Sequence, residues 1–106
     1  MAARFPEIRA AKPSEALQQH RDKIRQIIES HRTRNARVFG SVARGEDTEA
    51  SDLDLLVDPT PDTTLFDIGA IRAELHALLG VPVDILTPKA LPERVLFAVL
   101  AQAKKV

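Results

Sequence analysis

Apolar residues recur at helical spacing in three stretches of the chain, with short β-like runs between them. Leu17, Ile24, Ile27 and Ile28 share one stripe, with His20 and His31 close to it, which predicts an amphipathic helix over 14–32. Ser14, directly after Pro13, is the expected N-cap, with Glu15 in the first turn. Residues 1–13 carry Pro6 and Pro13 and no sustained period. They read as a flexible arm ahead of one domain over 14–106.

Ala36-Arg37-Val38-Phe39 reads as a strand that turns at Gly40. Ser41 to Arg44 begins a short helix stopped by Gly45, and 46–51 is a polar loop. Leu53 to Val57 is a second strand, closed by Asp58-Pro59 and Pro61. Leu65, Ile68, Ile71, Leu75, Leu78 and Leu79 then mark a helix, capped by Thr63 or Thr64 at its start and Gly80 at its end. Val81 to Leu86 is a third strand, apolar except for Asp84 and Pro82. Pro92 opens a last helix with Val95, Leu96, Val99 and Leu100 on one face. Lys104 and Lys105 suit its last turn, where the helix dipole favours cations. The predicted class is α/β (α+β): a small mixed sheet with helices packed mainly on one face.

Composition narrows the functional classes. A chain of 106 residues, 44% hydrophobic and 28% charged, suits one globular domain. It has no cysteine, so disulfides, thiolate metal sites and cysteine nucleophiles are excluded. Its start shows no apolar core of a signal peptide, and no apolar run approaches membrane-spanning length. A cytoplasmic location is expected. Fifteen basic residues balance fifteen acidic ones, and the aromatics are four Phe without Trp or Tyr. Strong nucleic-acid binding is therefore not expected.

Chemistry concentrates in Gly40-Ser41-Val42-Ala43-Arg44-Gly45-Glu46 and Ser51-Asp52-Leu53-Asp54-Leu55-Leu56-Val57. Asp52 and Asp54 are two apart on a strand, so their carboxylates point to the same side. Side by side they repel, unless a cation sits between them or one is protonated. Mg²⁺ suits such a pair, because it takes oxygen ligands and completes its shell with water and phosphates. The turn at Gly40-Ser41 presents backbone N–H groups and a hydroxyl to an anion. Arg44, one turn on, could reach a terminal phosphate. Asp84, a lone charge in an apolar strand, can join the same metal site if its strand lies beside the second. Three carboxylates can hold two Mg²⁺ ions.

Each piece has an ordinary reading too. Gly-Ser is a common turn, and an Asp-x-Asp pair is often a solvated strand end. Asp84 could bond backbone N–H groups. Arg44 reads equally as a surface arginine paired with Glu46 or Asp47. His20, His31 and His76 lack the spacing of a helical metal pair. A calcium loop starting at Asp47 fails, with Asp52 where glycine is needed and Asp58 where glutamate is needed. The combination of turn, pair and later aspartate is what favours a site.

The segment GSVARGEDTEASDLDLLVD resembles the DNA polymerase β-like nucleotidyltransferase superfamily, and within it the minimal nucleotidyltransferases (MNT proteins) of prokaryotes. The element order is similar over roughly residues 14–101, with specific matches confined to 40–57 and Asp84. The resemblance implies that Gly40 and Ser41, with Arg44 less firmly, contact nucleotide. It implies that Asp52, Asp54 and Asp84 ligate Mg²⁺ and carry catalysis, Asp84 as base. It further implies transfer of AMP from ATP to a tyrosine of a HEPN-class toxin, with this chain as antitoxin. Neutralisation by docking alone and modification of an aminoglycoside-type small molecule stay open, as do base preference, acceptor, Mg²⁺ against Mn²⁺ and a homo-oligomer.

Overall fold

Alternation within the central strand sets the layering of the molecule. The computed structural model describes residues 12–106, so the expected arm lies outside the described residues except for Lys12 and Pro13. Strand β2, Leu53–Pro59, buries Leu53, Leu55 and Val57 in the main core, while Asp54 and Leu56 alternate with them. The strand β1, Thr33–Phe39, pairs antiparallel with β2, and β3, Val83–Leu86, pairs parallel with it on the other side. A two-residue strand β4, Lys104–Lys105, closes the far edge, giving the order β3-β2-β1-β4.

One face of this sheet is covered by three helices. Helices α1 (Pro13–Gln19) and α2 (Arg21–Ser30) bury Ala16, Leu17, Ile24 and Ile28. The long helix α4 (Leu65–Leu79), which connects β2 to β3, adds Ile71, Leu75 and Leu79. Their common core includes Val38, Leu55, Val83 and Ile85 from the sheet. The five-residue helix α3 (Gly40–Arg44) follows β1 directly. A 3-10 turn at Pro88–Ala90 and helix α5 (Glu93–Gln102) complete the chain. The mixed sheet and its one main helical layer agree with the expectation from sequence.

Four boundaries differ. The single helix expected over 14–32 is two helices, divided at His20, whose φ of −124° and ψ of 25° leave the helical range. Its N-cap is Lys12 rather than Ser14, because Pro13 takes the first helical position, where its missing N–H costs nothing. The Ser14 N–H instead donates to the Asp47 carboxylate at 2.8 Å. Strand β1 begins at Thr33, with a bulge between Arg34 and Arg37 and a positive φ of 55° at Asn35. Finally, Lys104 and Lys105 do not lie in the last helix: Ala103 turns extended and the two lysines pair with Val38 and Arg37. The edge of β1 offered unpaired backbone groups, and the buried Val106, donating its N–H to the Ala36 carbonyl, anchors the chain there.

Candidate active site

The alternation that sends Leu53 and Leu55 into the core sends Asp54 to the opposite face. Asp84 is placed the same way, between the core residues Val83 and Ile85. The parallel register sets Asp84 directly beside Asp54, and the antiparallel register sets Phe39 on Asp54's other side. Three strands thus bring the end of β1, the aspartate of β2 and the aspartate of β3 into one row. Asp52 lies just before β2 and is exposed.

Gly40, the residue after Phe39, explains why the row closes so tightly. Its φ is +73°, a conformation that L side chains rarely adopt. A Cβ built there would lie 2.2 Å from the Asp54 Oδ2. The carboxylate therefore rests against the Gly40 backbone in space that only glycine leaves open. Ser41 follows on α3, and its hydroxyl has no protein partner among the described residues.

The electrostatics are those of crowded like charges. The Asp54 pKa is raised to about 6. Burial is the main cause, followed by the charges of Asp84 and Asp52, and Asp84 is close enough to share a hydrogen bond with it. The Arg44 guanidinium opposes the shift without overcoming it. Arg44 itself is exposed, with Nε donating to Glu46 at 3.0 Å and Nη1 donating to Gln102 Oε1 at 3.2 Å. The surface pairing with Glu46 that the sequence allowed is thus present, beside an electrostatic link to Asp54.

Asp84 is exposed on the sheet's open face rather than buried, and it meets Asp54 rather than backbone N–H groups. Other acidic residues of the same stretch separate from the row. Asp47 is buried against the first turn of α1, and Asp58 pairs with Arg37 at 2.6 Å and Asn35 at 2.8 Å. Gln102 went unmarked in the sequence. It accepts from the Gly40 N–H at 3.2 Å as well as from Arg44. Nothing in a single polar residue near a helix end distinguishes it from a solvated one.

The donor set fits a hard divalent cation. Among the described residues no three Asp, Glu or His side chains form a ready-made metal cage. Mg²⁺ needs none, because it binds one or two carboxylates and fills its octahedron with water and phosphate oxygens. A carboxylate whose pKa is raised by burial and by neighbouring carboxylates, as at Asp54, is the arrangement a cation would relieve.

Comparison with known proteins agrees with this fold. A family model described as a nucleotidyltransferase domain matches residues 17–106. A Methanocaldococcus jannaschii protein, MJ0435, whose name proposes a protein adenylyltransferase, is 42% identical over 65 residues, covering 61% of this chain and 70% of that one. The protein adenylyltransferase MntA of Thermococcus cleftensis is 35% identical over 89 residues, covering 76% and 90%. A solved structure whose description proposes a minimal nucleotidyltransferase superposes with a TM-score of 0.81 at 41% identity, covering 88% of this chain and 95% of that one. A toxin–antitoxin structure with AMP-PNP shares the fold, with a TM-score of 0.69 at 20% identity over 79% and 69% of the two chains.

Proposed function

The chain belongs to the nucleotidyltransferase domain family, and from that we propose that it transfers AMP from ATP to a tyrosine hydroxyl of a HEPN-class toxin, silencing it as an antitoxin. The observation that carries the reading is the row of carboxylates at Asp54 and Asp84, closed by Gly40 and flanked by Asp52. The adenylyltransferase names of relatives support AMP as the transferred group and protein as the acceptor. The toxin–antitoxin description of a fold neighbour supports the biological setting. No described helix is long and apolar enough to cross a membrane, and we place the reaction in the cytoplasm.

Asp52, Asp54 and Asp84 would hold Mg²⁺, with oxygens enough for two ions. Bound there, Mg²⁺ would neutralise phosphate charge and acidify the acceptor hydroxyl. Ser41 donates its hydroxyl to a phosphate oxygen, and Arg44 turns its remaining N–H groups toward the same anion. Gly40 gives Asp54 its place. Asp84, exposed at the sheet edge, accepts the proton of the attacking hydroxyl. The hydroxyl oxygen then bonds to the α-phosphorus, the bond from that phosphorus to the β-bridging oxygen breaks, and pyrophosphate leaves. A groove lined by Leu65, Ile68, Gly69, Arg72 and Leu86 opens on Asp84 and gives an acceptor side chain a route to it.

The test is mass spectrometry of the protein encoded beside this chain, after incubation of both with ATP and Mg²⁺. An AMP adduct on a tyrosine, absent with Asp52→Asn/Asp54→Asn, is expected. An adduct that persists in the double variant would sink the reading.

One observation favours a second reading, neutralisation by docking. Helix α5 exposes Val95, Phe97 and Leu100, with Phe97 79% accessible. In that case Asp52→Asn/Asp54→Asn would protect cells as well as the native chain. Variants that bind the toxin without protecting would reject it.

A further inference from the structure

Helix α3 carries Ser41 and Arg44, yet at five residues it is too short to hold itself. Its N-cap, Phe39, offers no side-chain acceptor for the first turn. Ala43 and Val42 anchor it inward by packing, which fixes its depth but not the aim of its polar groups.

One atom supplies what the helix lacks. The Gln102 Oε1, at the last residue of α5, accepts from the Gly40 N–H and from Arg44 Nη1, both at 3.2 Å. These are the first and last residues of α3. A carbonyl oxygen has two lone pairs, so both bonds can be held at once. Gln102 therefore clasps the two ends of the helix that bears the nucleotide-facing groups. Together with Glu46 on Nε, it occupies two of the five guanidinium N–H groups, and the other three have no partner among the described residues. The Gln102 end of α5 is itself held: Ala103 donates to the Val99 carbonyl, and β4 pairs with β1 immediately afterward.

We infer that Gln102 is a positioning residue of the nucleotide site, fixing α3 so that Ser41 and Arg44 face the triphosphate with their remaining donors. The inference rests on the nucleotidyltransferase reading above and adds to it a residue from a distant helix. It acts on geometry and touches no reacting atom.

The test is binding of ATP with Mg²⁺ by isothermal titration calorimetry, with hydrogen exchange of residues 40–44 as a second readout. Gln102→Ala should weaken ATP binding roughly tenfold and speed exchange in α3, while exchange in α2 stays at the native rate. Gln102→Met, similar in length but without the carbonyl, should do the same, which guards against a packing defect in the alanine variant. Gln102→Glu keeps both acceptor bonds and should return α3 exchange to the native rate. ATP affinity in Gln102→Met equal to or tighter than native, with unchanged α3 exchange, would overturn the inference alone. Failure of the native chain to bind ATP would overturn the nucleotide reading and this one with it.

Discussion

At the scale of single residues, Gly40 and Asp54 form one unit. Two glycines with nearly the same positive φ allow the contact to be isolated: Gly80 has φ +72° with nothing within 4 Å of a built Cβ, whereas Gly40 has φ +73° and Asp54 Oδ2 at 2.2 Å. Alanine at Gly80 should cost about 1 kcal/mol from the left-handed backbone. Alanine at Gly40 should cost at least about 1 kcal/mol more, because the carboxylate must move. Urea denaturation of both variants measures the difference, and equal costs would contradict the packing described. Asp54 also makes the metal-free chain sensitive to pH. Its folded pKa, about 6, exceeds the ordinary 3.8, so between these values the folded state holds the extra proton. Its contribution is fully present below pH 4 and is lost as pH rises through 6. Asp54→Asn should flatten that decline and raise metal-free stability at pH 7 on the order of 1 kcal/mol, allowing for solvent screening of a half-buried group. Stability profiles in EDTA from pH 4 to 8 check it. Strand alternation, read from the sequence, expects Asp52 and Asp54 on one side; in the structure Asp52 lies just before β2, and its charge acts on Asp54 from there. The true contact of Asp54, with the Gly40 backbone, depends on the register of β1 against β2, which no local pattern encodes.

At the scale of elements, caps and boundaries separate what periodicity can read from what it cannot. Thr64 caps α4 in a reciprocal box: its hydroxyl accepts from the Asp67 N–H at 3.2 Å, and Asp67 accepts from the Thr64 N–H at 2.9 Å. These bonds hold the Asp67 carboxyl below its usual pKa. Thr64→Ala should cost about 1 kcal/mol by thermal or urea unfolding, while Thr64→Ser should cost little. A neutral Thr64→Ala would contradict the capping role. The threonine and Gly80 were readable because caps have a chemical signature. The break at His20 was not. Leu17 and Ile24 are seven apart, a spacing that one continuous helix satisfies as well as two, and Gln18-Gln19-His20 contains no helix breaker. The lysines of β4 were misplaced for a related reason. Their dipole argument is local, whereas the open edge of β1 and the burial of Val106 are tertiary and prevailed.

At the scale of the molecule, the fold is a device for bringing distant aspartates together. Asp54 and Asp84 lie 30 positions apart in the sequence, and a single parallel pairing across β2 and β3 makes them neighbours. The mixed sheet and its one helical layer could be expected from the order of elements, because apolar stripes must be buried on a common face. The clasp of Gln102 on α3 could not, since it joins residues 62 positions apart through a side chain without distinctive chemistry. Bound nucleotide should stabilise the whole domain: ATP with Mg²⁺ at 100 times its Kd adds about 2.7 kcal/mol. The rise in Tm should vanish in Asp52→Asn/Asp54→Asn. The most direct measurement of nucleotidyl transfer uses ATP labelled either at the α- or at the γ-phosphate, incubated with Mg²⁺, this chain and its neighbouring gene product. Nucleotidyl transfer requires α-label on the acceptor protein, γ-label only in pyrophosphate, and neither on protein with the double variant. Transfer of γ-label to protein, or α-label undiminished by the double variant, would contradict AMP transfer by these aspartates.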